Sequence, residues 1–173
     1  MTNFEVPEPI INSPYEEPKQ YWKIAEGEPP QLMPGRRPSS YFYKPPGSQP
    51  SLFGPEDLGT LIELKIINRI RERVKEWRSQ GWPGVSRLTL ELLNYWRREG
   101  RETRLFFAQL EAAEAIIFLR EARNDFLQGI EIPMDEPGPD GKENGLTAFT
   151  RYACKMATGT GKTTVMGMLA AWS

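Results

Sequence analysis

The residues best suited to chemistry stand together in one stretch, "CKMATGTGKTTVMGMLAAWS", over positions 154–173. Its centre, Met156 to Thr163, reads "MATGTGKT". A strand turning sharply into a helix aims several unpaired backbone N–H groups at one small volume, where a triphosphate concentrates its negative charge. Gly159 and Gly161 let the backbone curl where a side chain would collide with phosphate. Lys162 reaches the β and γ phosphates, and the Thr163 hydroxyl is placed for a position on Mg2+. Thr160 and Thr164 complete the expected nucleotide-binding set. The generic pattern G-x-x-x-x-G-K-[ST] asks for glycine at position 156, where this chain has methionine.

That chemistry requires a strand before the loop and a helix after it. "RYACKMA" offers six or seven residues for a buried strand, and "TTVMGMLAAW" reads as a helix of small and apolar residues. Upstream, "QGIEIPMDEPGPDGKENGLTAFT" is punctuated by glycine and proline and reads as loop, with a very short extended piece at Ile130 to Ile132.

Helices are expected before that loop. In "PEDLGTLIELKIINRIRERVKEWRSQG" the acids fall in the first turn, Gly81 sits where a C-terminal cap belongs, and Ile67, Ile70, Val74 and Trp77 share a face. "RLTLELLNYWRREG" turns Leu88, Leu92, Leu93 and Trp96 inward. A third helix spans about Leu105 to Leu127, with Phe106, Leu110, Ala113, Ile117 and the stem of Arg120 on one side. Residues 1–55 hold twelve of the sixteen prolines, which forbids a long helix. They also carry Tyr15, Tyr21, Trp22, Tyr41, Phe42 and Tyr43. The arm therefore reads either as free chain or as an irregular strap across a folded body, anchored by "YWKIAE" and "SSYFYK".

Composition narrows the classes. The chain has 173 residues, with 23 acidic and 22 basic side chains, so net charge alone neither favours nor excludes a polyanion. Charge is unevenly placed: residues 69–104 hold ten basic and five acidic side chains, and residues 105–149 three and nine. The basic block is the one stretch that could face nucleic acid, or it is a pair of helices with solvated arginine faces. Cys154 is the sole cysteine and histidine is absent. An intrachain disulfide, a Cys/His zinc site and a histidine-based triad are excluded. "MTNFEVPEPI" is not a leader and no run is apolar enough to span a membrane, so a cytoplasmic location is expected and no membrane partner.

The loop and its surroundings resemble a known family. "MATGTGKT" is similar to motif I of superfamily 2 DEAD/DEAH box helicases, particularly type III restriction endonuclease res subunits. "GWPGVSRLTLELLNYWRREGRETRLFFAQLEAAEAIIFLREA" resembles the segment preceding motif I in restriction-type members, and the proline-rich arm the start of such proteins. The resemblance implies an α/β fold: the start of a RecA-like P-loop NTPase lobe over 150–173, preceded by a glycine/proline-rich loop (129–149), a helical region (56–128) and an irregular arm (1–55).

It also implies a glutamine upstream of motif I that contacts adenine. Gln109 matches it, since an amide can both donate to and accept from a purine edge. On this reading the chain is the N-terminal fragment of a DNA-dependent ATPase, a helicase or translocase that takes ATP and Mg2+ and acts on double- or single-stranded DNA, with a DNA methyltransferase or modification subunit as a possible partner. "MDEPGPD", at 134–140, precedes the loop and is not the family's acid box, so the fragment alone is expected to be inactive. Two other classes stay open: a P-loop kinase or other small-substrate phosphotransferase, and a non-catalytic interaction fragment with an incidental glycine turn.

Overall fold

Proline removes donors from the first part of the chain, yet short antiparallel pairing survives where prolines are spaced out or sit at strand ends. The computed structural model describes residues 5–25, 28–44 and 60–173. The chain divides into two compact units, Met1–Arg71 and Glu72–Ser173.

In the first unit, strand β1 (Gln20–Lys23) pairs antiparallel with β2 (Gln31–Pro34), and β3 (Ser40–Tyr43) with β4 (Thr60–Glu63). Tyr21–Lys23 of "YWKIAE" and Ser40–Tyr43 of "SSYFYK" are thus strand residues of two ladders, more regular than either a free chain or an irregular strap. The Asn12 side chain staples the first pair: Oδ1 accepts from the Lys19 N–H at 2.9 Å and Nδ2 donates to the Gln20 carbonyl at 2.8 Å. In the second pair Tyr41 lies opposite Ile62 and Phe42 opposite Leu61. This ladder corrects the helix expected from Glu56 onward. "TLIE" is β-branched and apolar enough to pair with the aromatic strand, and a cross-strand ladder outweighs its local helical pattern. Helix α1 (Lys65–Ser79) begins only afterwards and has no acid in its first turn; residues 55–59 lie outside the described set.

The second unit is built on helices. It holds the end of α1, then α2 (Arg87–Arg97), α3 (Phe107–Glu121), α4 (Asn124–Leu127), a two-residue pairing of β5 (Met134–Asp135) with β6 (Phe149–Thr150), α5 (Pro139–Glu143) and α6 (Lys162–Trp172). The Ser86 side chain caps α2 by accepting from the Thr89 N–H at 3.1 Å. Val74, Trp77, Leu93, Trp96, Ala113, Ile117 and Phe118 form the core, with the Trp77 and Phe118 rings edge to face at 5.4 Å. Of the face expected for α1, Ile70, Val74 and Trp77 are buried while Ile67 is exposed; of that for α2, Leu93 and Trp96 are buried while Leu88 is exposed.

The third helix is shorter than expected and its buried face is turned. Ala122 leaves helical geometry (ψ 147°), ending α3 before α4. Phe107, Gln109, Glu114 and Phe118 join Ala113 and Ile117 inside; Phe106 and Leu110 are half-buried and Arg120 is exposed. A helix with neighbours on several sides buries more than one stripe, and charged residues enter where they find partners.

Two further expectations are corrected. The extended piece at Ile130 to Ile132 lies instead at Met134–Asp135. "RYACKMA" (151–157) forms no strand and pairs with none of the strands among the described residues. An extended segment becomes a strand only when a partner takes up its alternating N–H and C=O groups. The fold is mixed α/β with small antiparallel pairs, and no helix among the described residues is long and apolar enough to cross a membrane.

Candidate functional site

The loop before α6 is closed by its own polar groups. The Ala157 carbonyl accepts from the Thr160 N–H at 3.4 Å, from Thr160 Oγ1 at 2.7 Å and from Lys162 Nζ at 3.1 Å. Lys162 Nζ also donates to the Met156 carbonyl at 3.1 Å. The ammonium thus lies across the mouth of the loop, held by neutral carbonyls and exposed to solvent, and among the described residues it has no carboxylate partner.

Gly159 and Gly161 adopt the left-handed conformation, with φ of 81° and 78°. Gly161 is the residue from which α6 starts, its carbonyl accepting from the Thr164 N–H at 3.0 Å and the Val165 N–H at 3.3 Å. The first N–H groups of a helix have no acceptor within it and carry the positive end of its dipole. Thr163 and Thr164 are exposed in this first turn, and Gly161 and Thr160 are half-buried. The site residues expected from sequence therefore stand on one loop and one helix turn.

Gln109 comes to the same place from far upstream. It is buried, and as the third residue of α3 it reaches back so that Oε1 accepts from the Phe106 N–H at 2.9 Å. Its Nε2 donates to the Thr160 carbonyl at 3.1 Å, spanning 51 positions of sequence. The glycine/proline-rich excursion between them is thereby closed. A Cβ added to Gly161 would collide with Gln109 Nε2, so an alanine there must displace the end of that side chain as well as accept the left-handed backbone angle. An amide has two N–H groups and two lone pairs. The Phe106 and Thr160 bonds take one of each, leaving one of each.

Two carboxylates on α3, singled out by no motif, organise the surroundings. Glu114 is almost wholly buried; its oxygens lie 2.8 Å from Arg78 Nη2 and 2.7 Å from Arg97 Nη2, and Trp82 Nε1 donates to Oε1 at 3.3 Å. Arg97 binds through Nε, which donates to Oε1 at 2.8 Å, whereas Nη2 is close but not aligned for a hydrogen bond. Burial pushes the Arg97 guanidinium below its ordinary range, and Glu114 opposes that shift. Glu121 accepts from the Ser86 N–H at 2.9 Å, Thr89 Oγ1 at 2.8 Å and Trp172 Nε1 at 2.6 Å. The available signal was an acid on an apolar stripe, since Glu114 and Glu121 lie beside or in step with Ala113 and Ile117.

The basic block loses part of its excess to such pairing: Arg73, Arg78, Arg87 and Arg97 each lie within 3.1 Å of a carboxylate oxygen. Arg98 lies over the Tyr95 ring at 3.7 Å from its centroid. In the hairpin that carries "MDEPGPD", Asp135 is 2.7 Å from Arg151 and Glu136 is 3.2 Å from Lys142. Among the described residues no group of three or more acidic, cysteine or histidine side chains could hold a metal ion. No family model, curated protein or solved structure matches the chain.

Proposed function

We propose that the chain is the ATP-binding part of a DNA-dependent ATPase, a helicase or translocase of the restriction type, whose first RecA-like lobe begins at the loop. The reading rests on one observation: Lys162 Nζ spans the carbonyls of Met156 and Ala157 over a loop with two left-handed glycines at the start of α6. The phosphates of ATP would replace those neutral acceptors with charged ones, a stronger match for an ammonium. Backbone N–H groups of the loop and the first turn of α6 would cradle the oxygens between them.

Mg2+ fits this set as an ion carried in with the nucleotide. It keeps several waters and takes phosphate oxygens, so one hydroxyl, that of Thr163, is a sufficient contribution from this part of the protein. Bound there, the ion would neutralise charge on the β and γ phosphates. Lys162 would stabilise the charge that develops on the transferred phosphoryl group, and Gln109 would hold the loop while offering its remaining N–H and lone pair to adenine. Movement of DNA, and association with a modification subunit, belong to the complete enzyme.

Titration of the chain with Mg2+–ATP, by calorimetry or with a fluorescent analogue, tests the reading. Lys162→Ala is expected to weaken binding at least about tenfold, the loss of a charged contact, with far-ultraviolet circular dichroism unchanged because the ammonium is exposed. Equal binding by both proteins, or none by the parent, would refute it.

A further inference from the structure

Helix α6 has an unusual problem of orientation. After its first turn it is small and apolar on every side: Val165, Met166, Met168, Leu169, Ala170, Ala171 and Trp172 follow one another with only Gly167 between them. Val165 and Met168 are buried, while Met166 is 69% exposed. Hydrophobic attraction is non-directional and scales with area. A roll of about 100° about the helix axis would put Met166 and Leu169 where Val165 and Met168 now lie, burying comparable surface. Apolarity holds α6 down but does not choose which face is inward. The choice matters at the other end, because the same roll would carry Lys162, Thr163 and the first-turn N–H groups away from the loop.

Directional bonds make that choice, and both come from α3. At the start, Gln109 Nε2 donates to the Thr160 carbonyl at 3.1 Å. At the end, Trp172 Nε1 donates to Glu121 Oε1 at 2.6 Å. From Gln109 to Glu121 and from Thr160 to Trp172 the separation is the same twelve positions, so α3 and α6 run side by side in parallel, joined at matching ends. Glu121 is itself fixed, since its other oxygen accepts from the Ser86 N–H and Oε1 also accepts from Thr89 Oγ1, both at the start of α2.

We propose that Glu121 and Trp172 are positioning residues of the phosphate loop: the bond between them sets the rotation of α6 about its axis and so the direction in which Lys162 and Thr163 face. The name of the loop rests on the function proposed above, but the mechanical claim does not. Trp172 thereby acts on a site three helical turns away without touching it.

Amide hydrogen exchange by nuclear magnetic resonance in the nucleotide-free chain tests this directly. The probes are the Thr160, Thr164 and Val165 amides, which bond within the loop and the first turn. Trp172→Phe, which keeps an aromatic ring and removes the indole donor, is expected to speed their exchange at least about tenfold. Thr89→Val is the control: it removes another donor to Glu121 and weakens the start of α2, and is expected to lower the melting temperature without altering exchange at the three probes. Unchanged exchange in Trp172→Phe, or equal acceleration by both variants, would overturn the proposal.

Should Trp172→Phe lose its helical circular dichroism, the parent chain decides. Its Trp172 indole N–H and the three probes are then expected to open together, with opening constants within about tenfold of each other; a wider gap overturns the proposal. A parallel titration with Mg2+–ATP keeps the two ideas apart. If Trp172→Phe frees the loop while no nucleotide binds, the positioning claim stands and the assigned function falls. If nucleotide binds through Lys162 and Trp172→Phe leaves exchange and affinity unchanged, the function stands and the positioning claim falls.

Discussion

Replacing Gly161 by alanine should be costly for two separable reasons, and the structure gives a size to each. At φ 78° an alanine occupies the left-handed region, which costs about 1–2 kcal/mol relative to glycine. Its Cβ would also collide with Gln109 Nε2. Gln109 must then give up its bond to the Thr160 carbonyl, and leaving a buried amide or carbonyl without a partner costs a further ~1–3 kcal/mol. The single substitution should therefore destabilise the chain by about 2–5 kcal/mol. In a Gln109→Ala background nothing remains to collide with, so Gly161→Ala should cost only about 1–2 kcal/mol there. The cycle is read by urea unfolding followed by circular dichroism, with the slope m compared across all four proteins so that differences in midpoint report stability. A coupling of at least about 1 kcal/mol is expected. If Gly161→Ala costs the same in both backgrounds to within about 0.5 kcal/mol, the contact between Gln109 and the loop is refuted.

Glu114→Ala would leave Arg78 and Arg97 facing each other in a largely buried site, and should lower Tm by more than about 10 °C; a shift within about 2 °C in thermal unfolding would show the cluster to be dispensable. If the chain is part of the ATPase proposed above and Gln109 contacts adenine, that enzyme should hydrolyse ATP in preference to GTP and CTP, and Gln109→Ala should narrow that preference in steady-state assays. Equal use of all three nucleotides by the parent would remove this role. The 173-residue chain is expected to release no phosphate above the background of its Lys162→Ala variant, with or without DNA, because residues 164–173 contain no acid that could orient the attacking water. Multiple turnover requiring Lys162 would overturn this, and would direct attention to Asp135 and Glu136, which the structure pairs with Arg151 and Lys142.

Sequence by itself determined what is local. "TGTGKT" specifies left-handed backbone at Gly159 and Gly161 and a lysine at the start of a helix, because these follow from the absence of a Cβ and from spacing along one turn. Ile70, Val74 and Trp77, and Leu93 with Trp96, were legible as core from helical periodicity alone. Tertiary structure decided everything that depends on a partner distant in the chain. Thr60–Glu63 carries helix-compatible residues and becomes a strand because Ser40–Tyr43 lies beside it, whereas 151–157 carries a strand pattern and forms none because no strand among the described residues pairs with it. The charges of Glu114 and Glu121 would place them on a solvated face, yet Arg78, Arg97, Ser86, Thr89 and Trp172 draw their carboxylates into the packed helices. Gln109 was legible as a candidate from its neighbours in sequence, but its bond to Thr160 was not, since 51 positions of chain must close before that amide and that carbonyl can meet. Backbone angles and periodicity are written within a few residues, while pairing, burial of charge and the rotation of an evenly apolar helix depend on what the rest of the chain sets against them.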